Sequence, residues 1–134
     1  GGADRCLEMA RDFALGRYAF GRPIGSFQAI KHKLADVYIK NELARAHCYY
    51  GAWALREGGT ELPRAAAAAR CAASDAYWFA SKENIETHGG MGFTWEGDPQ
   101  LYYRRSRHLA LVGGASREWK QALADAIEQQ ALAA

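Results

Sequence analysis

Phe27, Ile30, Leu34, Val37, Ala44 and Cys48 lie on one stripe that keeps helical spacing for about eight turns. A strand cannot carry this pattern, because strand side chains alternate with a period of two. A helix this long with one apolar face needs partners of comparable length. The rest of the chain offers them. Leu7, Ala10, Phe13 and Ala14 follow the same spacing in the first segment, and Phe20-Gly21-Arg22-Pro23 stops it. Gly58-Gly59-Thr60 ends the long helix. Pro63 suits the first turn of the next, whose Ala65 to Ala69 run favours helix and close approach of a neighbour. Asp98 and Ser116 stand as caps for two further helices, with Pro99 starting the first and Gly113-Gly114 breaking the chain between them. The spacing predicts helices over residues 3–18, 26–57, 63–87, 99–108 and 115–130. No alternating strand run and no internal repeat occurs. Long helices joined by short loops pack as an up-down bundle. The expected fold is therefore all-α, an up-down four-helix bundle forming one domain over residues 1–134.

Composition narrows the function classes. The formal charge is +2, with both signs spread along the chain. The basic runs Lys31-His32-Lys33 and Arg104-Arg105-Ser106-Arg107 are too short to argue for nucleic acid. No apolar run approaches the ~18 residues of a membrane span, and the start lacks a signal-peptide pattern. The opening Gly1-Gly2 reads as an added scar or as a cut inside a larger protein. Cys6, Cys48 and Cys71 are far apart and odd in number, which argues against a disulfide framework or a zinc site. Buried thiols in a reducing compartment are expected, and no metal site is.

The chemistry-bearing residues sit at the breaks between helices. His88-Gly89-Gly90-Met91-Gly92-Phe93-Thr94-Trp95-Glu96 places three glycines within four residues after a helix. That spacing suits left-handed backbone and close approach of a flat or anionic ligand. Arg17, at the end of the first helix, reads either as a phosphate anchor or as an arginine favoured by the helix dipole. Phe20 and Phe27 bracket the turn and read as core or as ligand contacts. Gln28 and Glu86 are polar residues near helix ends, solvated unless a ligand claims them. His88 reads as a local hydrogen-bonding residue or a base. Trp53, Trp78, Trp95 and Trp119 fit a cleft, a core or a subunit contact equally well. No nucleophile elbow, P-loop or dinucleotide fingerprint is present.

Taken in order, Arg17-x-x-Phe20-Gly21-x-Pro23-Ile24-x-x-Phe27-Gln28, Leu34-Ala35-Asp36, Glu42-x-Ala44-Arg45 and His88-Gly89-Gly90-x-Gly92-Phe93 resemble the acyl-CoA dehydrogenase family over nearly the whole chain. The resemblance implies the C-terminal helical bundle of a longer flavoenzyme subunit, with FAD as cofactor, an acyl-CoA substrate and an acceptor of the electron-transfer flavoprotein type. It also implies homo- or hetero-oligomers. Arg17 would hold the FAD pyrophosphate, with Phe20 and Gln28 beside the nucleotide part. Glu86 and Gly90 would reach the same cofactor in a neighbouring subunit. The family usually has Gln at the position of Glu86, and a carboxylate beside a diphosphate is unfavourable unless screened or turned away.

The implied reaction removes hydrogens from the α and β carbons of an acyl thioester, with a carboxylate taking the α proton. In many members that carboxylate opens a Glu-Gly-Thr-Ser segment. Here the segment falls at Gly113-Gly114-Ala115-Ser116, so glycine stands where the base is expected. The base could precede Gly1, as in some members, or the subunit could be a non-catalytic partner in a heteromeric enzyme. Glu96 and Glu118 are weaker candidates, since helix ends on a surface often carry carboxylates. The Phe93-Thr94-Trp95-Glu96 form is similar to a bacterial subgroup with paired subunits, some acting on steroid side chains, which implies a bacterial cytoplasmic location. Outside the resemblance, a plain helical oligomerisation module accounts for the same aromatic face.

Overall fold

The computed structural model describes residues 1–132; the last two residues of the expected domain lie outside them. Five helices dominate: α1 (Gly2–Gly16), α2 (Gln28–Glu57), α3 (Leu62–His88), α4 (Pro99–Val112) and α5 (Ser116–Leu132). α3 is the hub, touching each of the other four. Gly2 lies under the Tyr77 ring and Phe13 stacks on His88, so α1 and α3 run parallel. Lys33 meets Glu86 while Tyr50 meets Glu61, so α2 runs antiparallel to α3. Ser81 meets Ser106 and Arg70 meets Leu109, which sends α4 back down α3. The result is the expected up-down arrangement.

The core is built mainly from small side chains. Cys6, Ala10, Ala14, Val37, Ala44, Ala54, Ala65, Ala67, Ala76, Ala80 and Ile85 are its buried apolar residues. Small residues let backbones approach: a Cβ on Gly51 of α2 would lie 3.6 Å from the Ala65 carbonyl oxygen and 3.6 Å from the Ala69 Cβ of α3. Larger apolar residues are turned outward. On α2 alone, Tyr38, Ile39, Leu43, Tyr49, Trp53 and Leu55 are exposed.

Several local expectations are corrected. α1 stops at Gly16, because Arg17 adopts extended backbone (φ −86°, ψ 125°). A short antiparallel ribbon follows, β1 (Tyr18–Ala19) paired with β2 (Arg22–Pro23). Its two-residue turn has φ 52° at Phe20 and 77° at Gly21, the positive pair that matches strand twist. Ser26 does not cap α2. Its hydroxyl donates to the Pro23 carbonyl at 2.7 Å, and Phe27 holds the cap position. Asp98 precedes α4 without a side-chain cap bond. α5 is started by Glu118, whose Oε2 accepts the Ala115 N–H at 3.2 Å, rather than by Ser116. α4 continues to Val112, past the expected end, because side chains satisfy its final carbonyls: Arg70 Nη2 donates to the Leu109 oxygen at 2.7 Å and the Trp119 indole donates to the Gly113 oxygen. Of the three thiols, Cys6 is buried, with burial pushing its pKa up to about 12, whereas Cys48 is exposed and Cys71 half-buried. The stripe that begins at Phe27 therefore leaves the core before Cys48.

Candidate functional site

Where α1 ends, β2 leads toward α2 and α3 gives way to the glycine turn, a cleft of about 530 Å³ opens. Its lining includes Arg17, Ile24, Glu86, His88, Gly90 and Met91. Arg17, Glu86 and Gly90, three of the five sequence-predicted ligand residues, line one cleft of a single chain, whereas the resemblance places Glu86 and Gly90 at the cofactor of a neighbouring subunit. Phe20 and Gln28 do not line it. Phe20 sits at the ribbon tip and Gln28 is the first residue of α2.

The glycine turn, a 3-10 segment over Gly89–Phe93, uses its three glycines differently. Gly89 has φ 60° and breaks α3. Gly92 is buried against α3, where a Cβ would fall 2.8 Å from the Ile85 carbonyl oxygen. Gly90 faces open space, with nothing within 4 Å of a would-be Cβ. One glycine bends the chain, one seats it, and the third leaves an uncovered backbone on the cleft.

Arg17 is exposed, and its guanidinium has no ion-pair partner among the described residues. The extended backbone at Arg17 places it beside the turn rather than in the helix. Glu86, on the same cleft, is held from the other side. The Lys33 ammonium of α2 is in short contact with Glu86 Oε2 and 3.2 Å from Glu83 Oε2. Lys82 lies 3.3 Å from Glu83 Oε1 and 4.0 Å from Glu86 Oε1. The hydrogen bond from Lys33 holds the Glu86 carboxyl below its ordinary range, and Glu86 raises Lys33 in turn. Sequence reasoning missed Lys33 as a site residue. Its only sequence signal was the Lys31-His32-Lys33 run.

Phe20 bears on the core reading. It is 95% exposed, so it is not core in this chain. Its positive φ is uncommon for a bulky residue and costs about 1–2 kcal/mol. Its ring makes only an edge contact with Phe27, at 6.3 Å. Phe27 in turn carries the Arg22 guanidinium 4.1 Å from its centroid. His88 hydrogen-bonds the Asn84 carbonyl through Nδ1 at 2.8 Å and packs on Phe13 with centroids 4.2 Å apart, the local role considered for it.

The residues weighed as bases are elsewhere. At Gly113 a Cβ would lie 2.5 Å from Arg70 Nη2 and 2.7 Å from its Cζ, so the guanidinium already fills the side-chain position. Glu118 is engaged at the start of α5. Glu96 is exposed and, like Glu118, does not line the cleft. Neither a cluster of metal-ligating side chains nor a helix long and apolar enough to cross a membrane occurs among the described residues.

A family model described as acyl-CoA dehydrogenase, C-terminal domain, matches residues 1–127. The chain is similar to acyl-CoA dehydrogenase IpdE2 of Mycobacterium tuberculosis, 43% identical over 118 residues, covering 88% of this chain and 35% of that protein. Among solved structures it is similar to the Tcur3481-Tcur3483 steroid ACAD variant, with a TM-score of 0.93 and 29% identity, covering 98% of this chain and 36% of that one. It is also similar to a chain of the ChsE4-ChsE5 complex from Mycobacterium tuberculosis, with a TM-score of 0.89 and 26% identity over 96% of this chain and 35% of that one. The chain spans about a third of the length of these relatives.

Proposed function

The chain belongs to the acyl-CoA dehydrogenase family, as its C-terminal domain, and from that premise we propose that it completes the FAD site of an enzyme that desaturates an acyl-CoA thioester between its α and β carbons. FAD, when bound, would accept the hydride leaving the β carbon. The observation that carries this reading is the convergence of an unpaired Arg17 and the bare backbone of Gly90 on one open cleft. A diphosphate fits that donor set. A guanidinium offers two parallel N–H donors to it, and such charge-assisted bonds contribute roughly 1.5–3 kcal/mol each. The exposed Phe20 ring and Gln28 would flank the nucleotide part, and Gly90 would admit the ligand where a side chain would intrude. The reading takes residues 1–134 as one bundle domain, working in a homo- or hetero-oligomer in the bacterial cytoplasm, with an electron-transfer flavoprotein-type acceptor.

A second reading is favoured by Arg70. Residue 113 is a glycine, which carries no base, and the Arg70 guanidinium lies where its side chain would begin. Either the base lies upstream of Gly1, or the subunit is the non-catalytic partner of a catalytic sister. The paired names of the Tcur3481-Tcur3483 and ChsE4-ChsE5 structures support a heteromeric assembly, in which such a partner could stand.

Arg17→Ala in the full-length protein should weaken FAD retention about tenfold or more, the loss of at least one charge-assisted bond. Arg17→Lys should recover only part, since an ammonium cannot make the paired contact. Flavin absorbance per mole of purified protein reads both. Unchanged FAD content in Arg17→Ala would refute the anchor role.

A further inference from the structure

Arg17 and Glu86 line the same cleft with opposite charges, yet no ion pair joins them. Opposite charges on one cleft attract, and an exposed pair of this kind gains up to about 1 kcal/mol by joining. Glu86 is engaged elsewhere, and the atoms that engage it are clear. Lys33 reaches across from α2 and contacts both Glu86 and the buried Glu83. Lys82, one turn before Glu86, completes the group, giving two ammoniums against two carboxylates.

We propose that Lys33 is a positioning residue that keeps Glu86 from neutralising Arg17, and so keeps Arg17 free for the phosphates of the cofactor. This rests on the reading of Arg17 as the diphosphate anchor. It explains how a carboxylate is tolerated at a position where an uncharged side chain would be simpler. Glu86 is not a ligand in this arrangement. It is a competitor for Arg17, restrained by a charge on the opposite helix. The lowered Glu86 pKa agrees with a carboxylate already engaged by Lys33. Glu83 strengthens the restraint. Its side chain is only 7% exposed, so it fixes the Lys33 ammonium from the protein interior while Glu86 stays at the surface. Losing Lys33 would do two things. It would leave one unbalanced negative charge beside an anion site, and it would release Glu86 toward Arg17.

The test is a double-mutant cycle in the full-length protein, read as the Kd for FAD from flavin fluorescence on reconstituting the apoprotein, with thermal unfolding followed in parallel. Lys33→Met should weaken FAD binding about tenfold, equivalent to 1.4 kcal/mol. Glu86→Gln should tighten it several-fold, by removing the competitor while leaving Lys33 in place. Lys33→Met/Glu86→Gln should bind at least as well as the unaltered protein, whatever its melting temperature, because the two effects share one cause. Lys33→Arg should retain binding. If the double variant stays as weak as Lys33→Met, Lys33 acts through the fold or on the cofactor itself and the proposal is overturned. Weakened binding in Glu86→Gln would overturn it equally, since Glu86 would then be a ligand, and this variant keeps the lysine even if Lys33→Met folds poorly. Should Arg17→Ala weaken FAD binding while Lys33→Met does not, the anchor stands and the restraint fails. An unchanged Arg17→Ala removes the underlying reading itself.

Discussion

Gly113 and Arg70 show how a single missing Cβ alters what a turn can do. The Arg70 guanidinium sits against the bare Cα and donates to the Leu109 carbonyl, so it caps α4. Replacing Gly113 with Glu would push Arg70 aside and put a carboxylate next to it. A neighbouring guanidinium favours the ionised form and lowers the carboxyl pKa, the wrong direction for a base that must be poised near neutrality. Gly113→Glu should therefore give no gain in acyl-CoA turnover and should lower stability by about 1 kcal/mol through the lost helix-end bond. Dehydrogenase assay and thermal unfolding of the variant check both, and new turnover would show that the turn lacks only a carboxylate. The candidate site was partly legible from residues alone. Arg17, Glu86 and Gly90 each sit at a helix break, and breaks gather at bundle ends. Lys33 was not legible, because its partner lies 53 positions away and nothing local marks the pair. The exposure of Phe20 was equally hidden, since a phenylalanine in a turn is usually packed.

Among the helices, existence was easier to read than boundaries. Apolar spacing, together with proline, cap and glycine signals, located all five, and α2, ending at Glu57, and α3, ending at His88, stop within a residue of expectation. The misses have local and distant sources. α4 is prolonged by Arg70 of α3 and Trp119 of α5. α1 is cut short where the ribbon takes over the chain. The α2–α3 interface makes a sharper point about packing. Gly51 lies in mid-helix with ordinary van der Waals room for one methyl, 3.6 Å from its nearest neighbours. Gly51→Ala should raise stability by roughly 0.5–1 kcal/mol, because it restricts the unfolded chain without a clash. Gly51→Leu should lower it by about 1–3 kcal/mol by wedging the helices apart. Denaturant titration separates the two, and a destabilised Gly51→Ala would mean that the backbones are already in contact.

The molecule as a whole keeps its small residues inside and much of its aromatic and aliphatic bulk outside. The outward Tyr38, Ile39, Leu43, Tyr49 and Trp53 of α2 form an apolar surface of the kind that monomers rarely leave uncovered. The chain should self-associate at about tens of micromolar, the range of modest interfaces, and sedimentation showing only monomer there would count against it. The parallel pairing of α1 with α3 has a further effect on how such a chain emerges from the ribosome. Gly2 packs on Tyr77 and Phe13 on His88, each contact closing 75 residues. At about 5–20 residues per second, α1 waits roughly 4–15 s for the surface it docks on. During that interval α1 and α2 can form only a helical hairpin with its inner face open, so the nascent chain is at its most aggregation-prone before α3 has been made.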